Sequence, residues 1–474
     1  MTLQLLLAQA GDGLPVIEAP LPTESLLGAP LPAPLPKPTH LYNMSAEPDS
    51  LREQRWALVV PDTERGRRLE SILSPLCERR TEEQGRKVDV YRARPEMDAV
   101  AAREFVDEVM YPTSQSSREH ARYVLLAGTP EDLSMELQEE LTGDGSCFVG
   151  RLPFEREEDY AAYVAKVMDR ERDAARPRKA RALFLTAQDM STQVRSGHEF
   201  VTGPAALRCS EARGRGHFPA SRVLTEELPP GAKGRLLELA GAPEPGLLFT
   251  LSHGVGGPLS GWASKEEQQR EQGNMWLGDR TELTAEDVRQ GAFLPGGMWF
   301  YFACFGAGTP ARSVYQPWME QLVQSGMMHR RQLESLERSR PLGERPFIAA
   351  LPQAALANPE GPLAVIGHLD LAWLCAFHDP RTGQTHANRL EDVLTSLVEG
   401  YRAGLALQSL SRFAAKADRE LRKQYQADAV PGASGRPQTP NVAERAYLWM
   451  ERHDVMNYTL LGDPAVRLVD RPSR

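Results

Sequence analysis

The chain has 474 residues, 41% of them hydrophobic and 25% charged, enough to bury one large or two medium cores. Its net charge of −9 and the lack of a long Lys/Arg block exclude the electrostatic footprint of a nucleic-acid binder. Five scattered cysteines (Cys77, Cys147, Cys209, Cys304 and Cys375) argue against a disulfide scaffold and for a reducing compartment.

The first ten residues, Met1-Thr2-Leu3-Gln4-Leu5-Leu6-Leu7-Ala8-Gln9-Ala10, superficially resemble a leader. They lack a basic start, and their apolar stretch is short and broken by Gln, so a cytoplasmic chain is expected. No stretch reaches the ~18 apolar residues of a membrane span, and no membrane contact is expected. Prolines at 15, 20, 22, 30, 32, 34, 36 and 38 are incompatible with helix or central strand. Residues 1–45 are therefore expected to form an extended arm, either a tether or a segment that guards a cleft as an inhibitor would.

Regular structure is expected from residue 56, where Trp56-Ala57-Leu58-Val59-Val60 reads as a strand. A helical stretch, a strand at 88–91, a helix near 101–110 and a strand at 123–127 follow. That alternation implies parallel pairing with right-handed crossovers. The 155–172 stretch carries Tyr160, Tyr163, Val164 and Val167 at helical spacing. It leads from a first α/β lobe, 46–175, into a second, 176–474, whose first strand is expected at 182–187.

The second lobe holds the two most informative segments: Leu247-Leu248-Phe249-Thr250-Leu251-Ser252-His253-Gly254 and Met298-Trp299-Phe300-Tyr301-Phe302-Ala303-Cys304-Phe305-Gly306. Each is an apolar run ending in a reactive side chain with glycine close behind. Alone, a Cys after such a run is usually a small core hydrophobe. Together, two neighbouring strands would deliver imidazole and thiol to one sheet edge, the layout of a Cys-His hydrolase. Free thiol, with a pKa of ~8.5, is only slightly ionised at neutrality, so Cys304 needs a base, and His253 is the best candidate. The backbone N–H groups of Gly254 and Cys304 are candidates for an oxyanion hole. His368 also ends an apolar strand, and Cys375 and His378 sit three apart, but no second Cys/His pair suits a metal. No metal or cofactor is expected.

The His-Gly and Ala-Cys signatures resemble those of the caspase-like (clan CD) cysteine peptidases, which include caspases, gingipains and bacterial CHAT proteins. The gingipain-like branch fits best. Tyr123-Val124-Leu125-Leu126-Ala127-Gly128 is similar to its YVLLxG strand, and Val149-Gly150-Arg151-Leu152-Pro153 to its VGRLP turn. Gly367-His368-Leu369-Asp370-Leu371-Ala372-Trp373 is similar to its Trp-bearing loop, and Gly462-Asp463-Pro464 to its closing GDP strand.

The resemblance implies an α/β caspase-like fold of two lobes, mainly parallel sheets flanked by helices, with catalysis in the second. It implies that His253 acts chiefly as the acid for the leaving amine. Trp373 then walls the S1 pocket, and the loop from Gln188 supplies that pocket's charge. Asp189 there would select Arg or Lys at P1, or else orient His253; Arg195 would select Asp. A basic P1 is the favoured expectation.

Two further segments read as regulatory. The polar insertion 259–291 is expected to be a flap or short hairpin. The Arg-rich stretch 324–346, with Arg330, Arg331, Arg338, Arg340 and Arg345, reads as a solvated helix face or as an activation loop. The expected protein is a cytoplasmic cysteine endopeptidase acting on proteins or peptides, with a zymogen in bacterial defence or cell death, switched on by a protease or partner, as the expected setting. The alternative is a catalytically weak regulatory protein on the same fold.

Overall fold

Runs that are apolar at every position, rather than at alternate ones, call for strands covered on both faces. Eight buried runs and two more polar edge strands pair into one sheet, in the order Asp89–Ala93, Trp56–Pro61, Tyr123–Ala127, Phe148–Leu152, Tyr458–Gly462, Ala364–His368, Met298–Phe302, Gly246–Leu251, Arg181–Ala187 and Val223–Leu228. The structure, a computed structural model, describes residues 2–28, 46–112, 114–116, 119–143, 145, 147–173, 177–429 and 442–471. Neighbouring strands are parallel, except that Tyr458–Gly462 runs antiparallel to Ala364–His368. That strand joins the sheet's two halves, so the stretches 46–175 and 176–474 share one continuous sheet. Helices cover it; Glu157–Arg172 lays Tyr160, Tyr163, Val164 and Val167 against the core, as their spacing predicts. Among the described residues no helix is long and apolar enough to cross a membrane.

Two of the motifs read from the sequence turn out to hold the frame. Arg151 is fully buried, and its guanidinium donates to the carbonyls of Gly128, Leu133 and Ser134 and to Gln138 Oε1, at 2.7–3.2 Å. Burial without a carboxylate partner pulls its pKa down to about 10. Asp463, also fully buried, accepts from Trp56 Nε1 at 2.9 Å, from Arg80 Nε and Nη2 at 2.9 and 2.8 Å, and from the Ala465 N–H at 2.9 Å. One carboxylate thereby ties the closing strand to the first strand of the sheet and to the helix Ser74–Gln84.

Residues 2–28 depart from the expected extended arm. Leu3, Leu5, Leu6 and Leu7 are at most 3% exposed, and Leu7–Gln9 forms a strand parallel to Gly254–Gly256. With Met275–Trp276 and Glu282–Leu283 these make a second, four-stranded sheet. The physical reason is the leucine run: burying one such side chain is worth ~1.5–3 kcal/mol, which outweighs the extended bias of the prolines behind it. The chain then turns back, the Val16 N–H donating to the Leu7 carbonyl at 3.0 Å. Prolines 30 to 38 lie outside the described residues.

The insertion 259–291 contains the expected hairpin, Met275–Trp276 with Glu282–Leu283, preceded by the helix Lys265–Glu271. The Arg-rich stretch contains the helix Arg330–Glu337, on which Ser335 accepts a hydrogen bond from Gln9 Nε2.

Candidate active site

Parallel strands bring several strand ends to one sheet edge, and the strand Gly246–Leu251, which leads to His253, lies directly beside Met298–Phe302, which leads to Cys304. His253 follows the first by two residues and Cys304 follows the second by two. The register pairs Leu251 with Phe302, so the two side chains leave the sheet at the same level. Both are fully buried.

The imidazole is anchored through one nitrogen. Its Nε2 lies 3.0 Å from Ser191 Oγ and 3.5 Å from Asp189 Oδ2, while Nδ1 makes no hydrogen bond of normal geometry among the described residues. Asp189 Oδ1 accepts the Ser191 N–H at 2.9 Å, and Ser191 caps the helix Thr192–Gly197 by accepting from the Val194 N–H. The cap therefore fixes the serine, and the serine and aspartate together fix the ring. Burial lowers the His253 pKa, opposed by the Asp189 carboxylate and the Leu6 carbonyl. The ring is accordingly neutral at pH 7, with a free nitrogen facing away from its anchors.

Cys304 sits on a strained turn, since the next residue, Phe305, has φ of +55°, unusual for a bulky side chain. The turn is pinned by the Phe305 N–H on the Asp370 carbonyl and the Ala307 N–H on the His368 carbonyl, at 3.0 and 2.9 Å. The thiol itself accepts from the Ala372 N–H at 3.1 Å and donates weakly to the Ala372 carbonyl at 3.7 Å. Burial pushes its pKa well up, with the Ala372 N–H opposing. Iodoacetamide labelling of Cys304 in the intact chain is therefore expected to accelerate steadily with pH to about 9. A plateau already reached below pH ~7 would mean a preformed thiolate.

The two N–H groups expected to form the oxyanion hole converge. Gly254 N and Cys304 N lie 3.0 and 3.2 Å from one oxygen, the Leu6 carbonyl. This approach demands glycine at 254, where an added Cβ would come within 1.8 Å of the Cys304 carbonyl oxygen.

The three residues expected to bind substrate separate. Asp189, with its side chain 3% exposed, stands beside the imidazole. Arg195 is exposed on the helix Thr192–Gly197. Trp373 is fully buried, its ring edge-on to those of Tyr315 and Trp318, and its backbone N–H donates to Asp454 Oδ1 at 2.9 Å. Asp454 Oδ2 also accepts from the Ala376 N–H, so this buried carboxylate shapes the whole tryptophan loop. His368, the rival histidine, is engaged by the same group, with Nε2 3.3 Å from Asp454 Oδ1 and Nδ1 2.9 Å from the Asp370 carbonyl.

Sequence reasoning missed Ser191, Asp370, Asp454 and Leu6. Ser191 carried a usable signal, because Ser-Thr-Gln-Val is an N-cap entering a helix. Asp454, inside the apolar face of the helix Val442–Met456, carried a weaker one.

No family model matches the chain, and no curated protein is similar to it. Solved structures share its fold, among them the following two. One, described only as the structure of a protease, aligns with a TM-score of 0.50 at 12% identity, over 87% of this chain and 78% of its own. The other is the crystal structure of the Arg-specific cysteine proteinase gingipain R, with a TM-score of 0.50 at 12% identity, over 93% of this chain and 82% of its own. The fold is thus the α/β, mainly parallel, caspase-like one of gingipain R, as the motifs predict.

Proposed function

We propose, on the premise of this gingipain-like fold, that the chain is a cysteine peptidase working through Cys304 and His253. One observation carries the reading: two N–H groups converge on a single carbonyl oxygen beside a buried thiol and an imidazole with one free nitrogen. In this mechanism the Cys304 sulfur attacks a peptide carbonyl carbon while its proton passes to His253 Nδ1. The oxygen that gains negative charge is held by the Gly254 and Cys304 N–H groups, which are already in place. Nδ1 then gives its proton to the departing amine, leaving a thioester on Cys304. Water, deprotonated by the same nitrogen, releases the acid and restores the thiol.

Asp189 and Ser191 keep the proton traffic on Nδ1 by occupying the other nitrogen. In this reading Asp189 belongs to the imidazole rather than to a charged S1 floor. The backbone from Ala372 to Leu374 carries the substrate chain, with Trp373 behind it. A regulatory protein on the same fold is the second reading, favoured by the thiol's pairing with the Ala372 backbone.

The test is hydrolysis of casein and of fluorogenic peptides. The expected result is turnover that thiol reagents block and that Asp189→Asn lowers by about 10²-fold in kcat rather than in KM, because a misheld ring still lets substrate bind. No hydrolysis by a preparation whose Cys304 is freely alkylated would favour the regulatory reading.

A further inference from the structure

The N-terminal leucines do more than pack. The Leu6 N–H donates to the Ala372 carbonyl at 3.1 Å, the Leu374 N–H donates to the Gln4 carbonyl at 3.3 Å, and Leu5 faces Trp373 as an antiparallel pair. An extended peptide that adds itself to a strand edge in this way is a standard mode of peptide recognition. At Leu6 the segment changes partner, and Leu7–Gln9 continues parallel to Gly254–Gly256. The change of partner sets the Leu6 carbonyl oxygen between the Gly254 and Cys304 N–H groups.

We propose that residues 4–6 occupy the chain's own substrate cleft in the direction and register of a bound peptide, with Leu6 at P1, so that S1 is built for an aliphatic side chain and the intact chain is self-occluded. This rests on the peptidase reading. Each element of a bound substrate has its counterpart. The P1 and P3 backbone bonds go to the tryptophan loop, the P1 carbonyl sits in the oxyanion hole, and the residues beyond it are held as a strand.

The P1 chemistry follows from what surrounds Leu6. Its side chain is fully buried within the main apolar cluster. The two charges expected to floor S1 are placed elsewhere, Asp189 against the imidazole and Arg195 in solvent. A Lys or Arg taking the place of Leu6 would carry a charge into that apolar cluster, at a cost that favours an aliphatic side chain there. Occlusion follows from coverage, because Leu5, Leu6, Leu7 and Ala8 are at most 3% exposed and the Leu6 carbonyl oxygen lies 3.2 Å from the Cys304 backbone nitrogen. No bond is broken in this arrangement: the thiol is paired with Ala372, and the segment on the leaving side stays hydrogen-bonded in place.

The test follows iodoacetamide labelling of Cys304 in the full chain by peptide mass spectrometry, with the other four cysteines as internal references. Beside it runs hydrolysis of two fluorogenic peptides, one ending Leu-Gln-Leu-Leu and one Leu-Gln-Leu-Arg before the reporter. Leu6→Asp is expected to speed labelling by about 10-fold or more and to favour the Leu peptide by a similar factor, whereas Leu14→Asp, at a position 52% exposed, changes neither. A synthetic peptide of residues 2–9 is expected to slow labelling of Leu6→Asp again, which a misfolded variant would not show, and Leu6→Gly carries the same readouts with a smaller disturbance. Equal labelling rates in the intact chain and in both Leu6 variants would overturn the occlusion. Preference for the Arg peptide would overturn the aliphatic pocket. Fast labelling with neither peptide cut upholds the occlusion and counts against the peptidase reading instead.

Discussion

Cys304→Ala is expected to abolish peptide hydrolysis, in the intact chain and in the Leu6→Asp variant alike, while the protein keeps its fold. The sulfur makes one ordinary and one weak hydrogen bond, both to the Ala372 backbone, so its removal costs little stability. Its chemistry has no substitute, because the other four cysteines have no comparable place at the sheet edge. His253→Ala is expected to lower turnover by ~10³-fold or more, the residual rate coming from the N–H pair that holds the oxyanion. The measurements are kcat/KM on a fluorogenic peptide and thermal unfolding of each variant. Wild-type turnover in Cys304→Ala would end the enzyme assignment.

Asp463→Ala is expected to do the reverse, sparing the chemistry and damaging the frame by ~3–5 kcal/mol. The substitution leaves the fully buried Arg80 guanidinium short of one partner and strips the acceptor from Trp56 Nε1 and from the Ala465 N–H. Glu171 and Glu83 still face Arg80, which sets the upper end of the range. Urea unfolding reads the loss directly as a lowered midpoint with an unchanged slope. An unaltered midpoint would mean that the carboxylate is replaceable by water.

Much of this architecture is legible in the sequence because it is written locally. Strands such as Trp56–Pro61 and Arg181–Ala187 are continuous apolar runs, and the alternation with helices dictates parallel pairing. His253 and Cys304 are legible because each ends such a run. What escapes is whatever depends on distant parts of the chain. Asp189 reads equally well in the sequence as a pocket floor or as a partner of His253, and its place 3.5 Å from the imidazole depends on the fold of the loop that Ser191 caps. Arg151 and Asp463 stand inside recognisable motifs, but nothing local says that their work is to bind carbonyls and an arginine rather than substrate. The fate of Leu6 is the extreme case. A leucine run says that burial will occur; it cannot say that the burial site lies between residues 254 and 372.

The closing strand Tyr458–Gly462 has a consequence for how the molecule comes into being. It is the last strand of the large sheet to leave the ribosome, yet its place is in the middle, between Phe148–Leu152 and Ala364–His368. Until it arrives, both of those strands present open edges, the kind of surface that invites mispairing and a need for chaperones. The contact between Trp56 and Asp463 spans 407 residues, so closure carries a large loop-entropy cost and belongs among slow folding steps. A newborn chain therefore spends its synthesis as two half-sheets. The strand that ends this state seals the edge beside Ala364–His368, the neighbour of the strand that leads to Cys304, so the sheet edge at Cys304 is completed only when synthesis is.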